Sequence, residues 1–170
     1  MNRPEPIPLR QREMFHHFSD ELLDEFSNYL NVVDYPDGTL LTEINSHFFD
    51  GKTAFLILLE GEVDVQSPQQ DSTQVPIVRV MHPGEAIGLV SLREEVPHTA
   101  TCVTRDASRV GHIYKEDLER IEKENPTLAA AIEFMIAHQL SRDLRMCNRR
   151  LANALAGGLS QQELPKFISR

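Results

Sequence analysis

Short segments in which apolar and polar residues alternate fill the chain from about residue 32 to residue 114. In 61–66 the alternation is regular, with Val63 and Val65 on one face and Glu, Asp and Gln on the other. A period of two residues is that of a β-strand with one buried face. Further strands are predicted over 53–59, 75–81, 99–105 and 108–114. Glycines and prolines punctuate these segments, and many short strands joined by such turns indicate an all-β barrel or sandwich.

Apolar residues at helical spacing flank this β-rich region. Ser19, followed by two acidic residues, is typical of a helix N-terminus and predicts an amphipathic helix over about 19–30. After the last strand a short helix is predicted over 115–124, because the residue before Pro126 avoids helical backbone geometry. A long helix then extends over about 127–156 and ends at a pair of glycines, which are typical of a helix C-terminus.

These patterns divide the chain of 170 residues into four parts. They are an extended arm with three prolines over 1–12, a β-barrel domain with flanking helices over 13–126, a long helix over 127–156 and a tail over 157–170. The longest apolar run has six residues, too few to cross a bilayer, and the early prolines argue against a signal peptide. Two cysteines without a CxxC spacing indicate reduced thiols. We therefore expect a cytoplasmic protein without a membrane anchor.

The charge balance bears on the class of partner. The formal net charge is −9, and a strongly acidic chain repels nucleic-acid phosphates. One basic cluster lies on the predicted long helix, and it comprises Arg142, Arg145, Arg149 and Arg150. We interpret it as a solvated face or as charges beside a dimer interface, with contact to nucleic acid or another acidic partner as the less favoured alternative. No nucleic-acid binding is expected.

The long helix has two apolar stripes. Leu128, Ile132, Met135 and Ile136 form the first stripe. The second stripe is a heptad seam with spacings of 4, 3, 4 and 3, and its members are Leu140, Leu144, Cys147, Leu151 and Ala154. Plain core packing is the alternative for any such stripe. Because this one follows the last strand and has no later element to pack against, it predicts a homodimer.

Residues with the chemistry of catalysis or metal binding do not form recognisable motifs. The seven histidines include no His-x-His pair on a predicted strand, and His112 and His138 are interpreted as satisfied or partly buried side chains. Ser91 lacks the glycines of a nucleophile elbow, and Gly84-x-x-x-Gly88 lacks the lysine of a nucleotide P-loop. The sequence therefore predicts no catalytic residue, no metal site and no enzyme.

The stretch from Pro83 to Val103 carries the most specific signal. It resembles the phosphate-binding cassette of cyclic nucleotide-binding domains, the sensor module of catabolite-activator-type proteins. The residues that fall in register are Gly88, Ser91, Pro97, Thr99 and Ala100. Two positions depart from the family pattern, because Leu89 stands where the family has glutamate and His98 stands where it has arginine.

Other motifs of the family follow in the same order. They are Tyr35-Pro-Asp-Gly-Thr39, Phe55-Leu-Ile-Leu-Leu-Glu-Gly-Glu-Val-Asp-Val65, Pro83-Gly-Glu85 and Glu124-Asn-Pro126. The resemblance covers about residues 13–156. It implies a mainly β fold, a double-stranded β-helix or cupin-like jelly-roll barrel, with flanking helices and a long C-terminal helix.

The resemblance also implies the ligand site. The candidate phosphate cassette consists of Gly88, Leu89, Val90, Ser91, His98, Thr99 and Ala100. In the family the arginine pairs with the cyclic phosphate, the glutamate accepts from the ribose 2′-hydroxyl, and residues of the long helix cover the base. The covering positions correspond to Asp143 and Leu144. Family members that regulate transcription add a helix-turn-helix domain, which we do not expect here because fourteen residues follow Ala156.

Two functions therefore stay open. One is a regulatory sensor module in signal transduction, in which a degenerate or altered site takes cyclic AMP or a related phosphate ligand. The other is a ligand-free module that uses the same barrel for dimerisation or for binding a protein partner. Neither function calls for a cofactor.

Overall fold

The computed structural model describes residues 8–46, 54–66, 77–94 and 96–156. The chain divides into two compact units, Met1–Met135 and Ile136–Arg170. The first unit contains the strands and the short helices, and the second begins within the long helix.

The described strands of the first unit form two four-stranded sheets in which every pairing is antiparallel. The strands are β1 (Asn31–Tyr35), β2 (Leu40–Thr42), β3 (Ala54–Glu60), β4 (Val63–Gln66), β5 (Ile77–Met81), β6 (Ala86–Ile87), β7 (Thr101–Thr104) and β8 (Ser108–Tyr114). The first sheet has the order β1-β8-β3-β6 and the second β2-β7-β4-β5. The chain passes repeatedly from one sheet to the other, which is the winding of a jelly roll. The predicted fold class is confirmed.

The described α-helices are α1 (Asp20–Ser27), α2 (Leu89–Glu94), α3 (Lys115–Glu124) and α4 (Pro126–Ala156). Of these, α1, α3 and α4 lie close to their predicted bounds, whereas no bounds were predicted for α2. The Ser19 Oγ accepts a hydrogen bond from the Leu22 N–H at 3.3 Å, so Ser19 is the predicted N-cap of α1.

The N-terminal arm is less extended than predicted. Within it, Pro8–Gln11 is a short 3-10 helix, and the side chain of Leu9 is buried. Directly after the arm, Glu13–Phe15 is a second 3-10 helix, with the side chains of Met14 and Phe15 buried. Burial of each such side chain stabilises the fold by about 1.5–3 kcal/mol, which explains why this stretch folds onto the first unit. Residues 1–7 of the predicted arm and the predicted tail over 157–170 lie outside the described residues.

Strand β3 explains where the core lies. Leu56 and Leu58 belong to the cluster inside the barrel, together with Val63 and Val110. The alternate residues of the strand, Phe55 among them, point to the opposite face and are equally buried. A strand covered on both faces reads as a continuous apolar run rather than an alternating one, as the sequence of β3 does.

The start of α4 is fixed by local chemistry. Pro126 occupies the first helical position, where the missing N–H costs nothing. The Asn125 Oδ1 accepts a hydrogen bond from the Leu128 N–H at 3.0 Å and caps the helix. Leu128 and Ile132 are fully buried, so the first apolar stripe is core, as plain packing requires. Among the helices in the described ranges, none combines the length and the apolar character needed to cross a membrane.

Candidate functional site

The turn between β5 and β6 leads into the cassette and is held by a buried ion pair. The Arg79 Nη1 donates to the Glu85 Oε1 at 3.0 Å, and the other carboxylate oxygen accepts from the His82 backbone N–H at 2.7 Å. The two charged side chains are only 15% and 11% exposed. Because both oxygens of Glu85 are engaged, this carboxylate orders the turn.

Arg79 is a residue that the sequence analysis missed. Val65 pairs with Arg79 on one side and with Cys102 on the other, and Met81, two residues along β5, belongs to the core cluster. The period of two therefore places Arg79 on the inner face of the barrel. The sequence contained a signal for this residue, because Arg79 stands two residues before a buried position of a predicted strand. An arginine on the buried face of a strand needs an acidic partner.

Gly88 sets the backbone at the start of α2. Its φ is +82°, in the left-handed region. A Cβ added there would lie 3.3 Å from the Ala54 carbonyl oxygen and 3.4 Å from the His98 Cε1. A side chain at this position therefore meets both backbone strain and crowding, and the glycine of the cassette is required by the local geometry.

Ser91 and His98 meet inside the cassette. The Ser91 Oγ and the His98 Nδ1 are 2.9 Å apart, and each residue is 6% exposed. The His98 backbone is held as well, because its N–H donates to the Ser46 carbonyl at 2.8 Å and its carbonyl accepts from the Asn45 N–H at 2.9 Å. His98 is thus fixed through its main chain and through its ring.

The remaining cassette residues differ in exposure. Leu89 is 4% exposed, so hydrocarbon occupies the place where the family pattern has a carboxylate. Val90 and Ala100 are half-buried, and the side chain of Thr99 is exposed. The structure therefore brings Gly88, Ser91 and His98 together, with Leu89 packed below the surface.

The two positions predicted to cover a ligand lie in the second unit. Leu144 is 62% exposed. Asp143 is within 3.5 Å of the Gln139 Nε2 and 4.0 Å of the Arg142 Nη2, both on the same helix. Their role toward a ligand stays a prediction.

The heptad seam also lies in the second unit. Leu140 and Leu144 are exposed, Cys147 is an exposed free thiol, and Leu151 is half-buried. The side chain of Ala154 lies outside the described residues. A row of exposed leucines is consistent with a covered interface, and dimerisation stays a prediction.

The buried histidine of β8 has a structural role. His112 is 1% exposed, and its Nε2 lies 3.0 Å from the Tyr35 Oη. His112 is therefore buried, as interpreted, with one ring nitrogen within hydrogen-bond distance of Tyr35. In the described ranges, no group of three or more His, Cys, Asp or Glu side chains is placed to hold a metal ion.

Burial changes the acidity of one thiol near this site. Cys102 is a free, buried cysteine on the inner face of the barrel. Burial raises the pKa of the Cys102 thiol, and the hydroxyl of Thr42 and the positive charge of Arg79 oppose that shift. The thiol is therefore protonated at neutral pH and acts as a small apolar side chain.

The fold of the chain is similar to that of several solved structures. A cyclic nucleotide-binding domain from Methylobacillus flagellatus superposes with a TM-score of 0.77 at 19% identity, over 92% of this chain and 84% of the other. The c-di-GMP-responsive global regulator CLP of Xanthomonas campestris superposes with a TM-score of 0.66 at 20% identity, over 81% and 65%. At these identities the likeness concerns the fold.

The sequence itself matches the family model of the cyclic nucleotide-binding domain over residues 34–125, more than half of the chain. The chain belongs to the cyclic nucleotide-binding domain family. A curated relative, the neuropathy target esterase sws of Drosophila persimilis, is 26% identical over 119 residues. That match covers 68% of this chain and 8% of the relative, so the chain spans less than a tenth of the relative's length.

Proposed function

We propose that this protein is a regulatory sensor module with an altered cyclic nucleotide site. The observation that supports the proposal is the Ser91–His98 pair, 2.9 Å apart, in a cassette that starts at a left-handed Gly88. The backbone of the cassette is retained, while the arginine and the glutamate of the family pattern are replaced. The module then keeps the architecture of a sensor and loses the two strongest contacts to a cyclic nucleotide.

The two replacements set the expected affinity. A charge-assisted hydrogen bond contributes about 1.5–3 kcal/mol, so losing two of them costs about 3–6 kcal/mol, or about two to four decades of affinity. An imidazole carries a full charge only under acidic conditions, which makes His98 a weaker permanent anchor than arginine. Leu89 cannot accept a hydrogen bond from a ribose hydroxyl.

Two features of the cassette support a residual phosphate site. The backbone N–H groups of Gly88, Leu89 and Val90 do not depend on side-chain identity. The hydroxyl of Thr99 is on an exposed side chain and is available to donate to an anion. Binding through these groups alone is weak, so a response requires a high ligand concentration.

The long helix is the proposed output element. We infer a homodimer through the seam of α4. Asp143 and Leu144 on the same helix correspond to the ligand-covering positions of the family pattern. The same proposal includes a cytoplasmic location and no catalytic role. It also divides the chain into a barrel domain over 13–126 and a long helix over 127–156.

A calorimetric titration tests the proposed function. Purified protein is titrated separately with cyclic AMP, cyclic GMP and cyclic di-GMP, with linear 5′-AMP as the control for unspecific phosphate binding. We expect one cyclic ligand to bind with a dissociation constant above about 1 μM and to bind more weakly to Thr99→Ala. Linear AMP should bind no better than buffer phosphate.

A second function is favoured by one specific observation. Leu89 and His98 are only 4% and 6% exposed, so side chains of the protein occupy part of the cassette. This supports a ligand-free module for dimerisation or protein binding. A titration at about 1 mM ligand detects binding free energies near about −4 kcal/mol. If none of the three cyclic ligands gives heat at that concentration, the ligand-free module is favoured and the sensor function is overturned.

A further inference from the structure

A second heptad-spaced stripe lies on α4, apart from the leucine seam. Its members are Arg142, Arg145, Arg149, Ala152 and Ala156, with spacings of 3, 4, 3 and 4. Each helical residue advances about 100° around the axis. By that count the stripe lies on the face opposite Leu140, Leu144 and Leu151, so a dimer formed through the leucines leaves it accessible.

The stripe is exposed and carries uncompensated charge. Arg145, Arg149, Ala152 and Ala156 are all exposed, and Arg142 is half-buried. No acidic residue stands three or four positions from Arg145 or from Arg149, and neither makes an ion pair within the part of the chain that the structure describes.

Two like charges one turn apart destabilise a helix. In α3, by contrast, Arg120 is paired with Asp117 at 2.9 Å. Arg145 and Arg149 therefore gain from an anionic partner that the helix itself does not supply.

The charge of the helix segment around the stripe is opposite in sign to that of the whole chain. Residues 136–156 contain four arginines and one acidic residue, although the whole chain has a net charge of −9. The alanines that continue the stripe present a flat apolar surface, on which another helix can approach closely.

We propose that this stripe is the docking surface for an acidic amphipathic helix of a partner protein. Carboxylates of the partner, spaced three and four residues apart, pair with Arg145 and Arg149, and its small apolar side chains pack on Ala152 and Ala156. The row from Arg142 to Ala156 spans about four helical turns, which is the length of an ordinary helix.

The same features argue against nucleic acid as the occupant. Affinity for nucleic acid requires many phosphate contacts, and two or three arginines on one helix face provide few. The net negative charge of the chain opposes a long polyanion. The alanines have no counterpart on a phosphate backbone, whereas they match the apolar face of a helix.

Fluorescence anisotropy with a labelled model peptide tests the proposal on the full chain. The peptide has about 20 residues, with glutamates at heptad-spaced positions and alanines on the same face, and its control has glutamine in place of each glutamate. We expect the glutamate peptide to bind at about 50 mM salt, where surface charges are weakly screened, and the glutamine peptide not to bind.

A matched variant distinguishes the stripe from charge in general. Arg145→Gln with Arg149→Gln should weaken binding about fivefold to tenfold, as expected for two exposed ion pairs. Arg150→Gln removes an arginine beside the stripe and should change binding less than twofold. Sedimentation should show the same oligomeric state for native protein and both variants.

Three results would overturn the proposal. One is that the native protein does not bind the glutamate peptide at about 100 μM, which means that the binding free energy is weaker than about −5.5 kcal/mol. Another is an equal loss in Arg150→Gln and in the double variant. The third is tighter binding of a single-stranded oligothymidine or of vesicles with anionic lipid, lost in the same double variant, since the occupant would then not be a protein helix.

Discussion

At the scale of single residues, His98 is the side chain on which the account depends most. Its ring lies within hydrogen-bond distance of Ser91, and its main chain is hydrogen-bonded to Asn45 and Ser46. Its Cε1 would lie 3.4 Å from a Cβ added at position 88. An imidazole held through both its ring and its main chain has a fixed position in the cassette. A longer, charged side chain at this position would have to project outward to meet a phosphate.

Substitution of Gly88 measures how tightly the cassette is built. Gly88→Ala should lower the free energy of unfolding by about 1–3 kcal/mol, because the residue has a positive φ and a crowded Cβ position. The matched control is Gly38→Ala, whose φ is also positive but whose Cβ would meet nothing within 4 Å. Urea denaturation compares the two. Equal losses of unfolding free energy in the two variants would show that crowding around His98 does not contribute to the effect of Gly88→Ala.

The two thiols should differ in reactivity. Burial raises the pKa of Cys102, so less thiolate exists at neutral pH and alkylation of this residue is slow. Cys147 is exposed in the single chain and should react at once in protein diluted until the seam dimer dissociates. Ellman's reagent should therefore modify one thiol per native chain rapidly, and the Cys147→Ser variant should react only after denaturation. Two equally fast thiols in the native protein would contradict the burial of Cys102.

At the scale of secondary-structure elements, the sequence predicts those whose local signal is complete. Strand β8 and helix α3 have the predicted bounds, because polar breaks and Pro126 end them. The strands β1, β2 and β6 were not predicted individually. The two residues of β6 are too few for any period, and they form a strand only because β3 is available to pair with them.

The candidate site shows the same limit for contacts distant in sequence. The resemblance to the family cassette implies which residues lie near one another, and the structure brings Gly88, Ser91 and His98 together. The ion pair of Arg79 with Glu85 was not predicted, since it depends on which face of β5 points inward. Neither does the sequence show that the backbone of His98 is held by the 45–46 turn.

The cap of the long helix provides a test at this scale. Asn125→Ala removes the acceptor that binds the Leu128 N–H and should lower the free energy of unfolding by about 0.5–2 kcal/mol. Asn148→Ala, at an exposed position inside the same helix, should leave stability unchanged or raise it slightly. Thermal unfolding followed by circular dichroism measures both. A larger loss in Asn148→Ala would contradict the assigned cap.

At the scale of the whole molecule, the proposal joins a sensor barrel to a dimerising helix. The core residues of the barrel, such as Leu56 and Leu58, are buried, whereas Leu140 and Leu144 of the second unit are 38% and 62% exposed. Exposed leucines at heptad spacing are stabilised when a second copy covers them. Because the seam is short and contains Ala and Cys, we expect a dimer that dissociates on dilution.

Substitutions in the seam test the dimer. Leu144→Asp with Leu151→Asp should give a monomer with a folded barrel, because each buried leucine contributes about 1.5–3 kcal/mol and like charges would face each other. Asn153→Asp adds a carboxylate to the same helix outside the seam and should leave the dimer intact. Analytical ultracentrifugation at tens of micromolar, roughly the range for moderate dimers, gives the state. A monomeric native protein, or a dimer that survives the double change, would contradict the prediction.

The central claim is that positions 89 and 98 set the affinity of a retained cyclic nucleotide site, and calorimetry of one double variant tests it most directly. Leu89→Glu with His98→Arg restores both groups of the family pattern, while Leu40→Glu with His82→Arg makes the same changes at exposed positions. The account predicts that cyclic AMP binds the first variant at least about tenfold more tightly than the native protein, and that the second variant binds like the native protein. A native dissociation constant at or below about 1 μM, or no gain in the first variant, would contradict it.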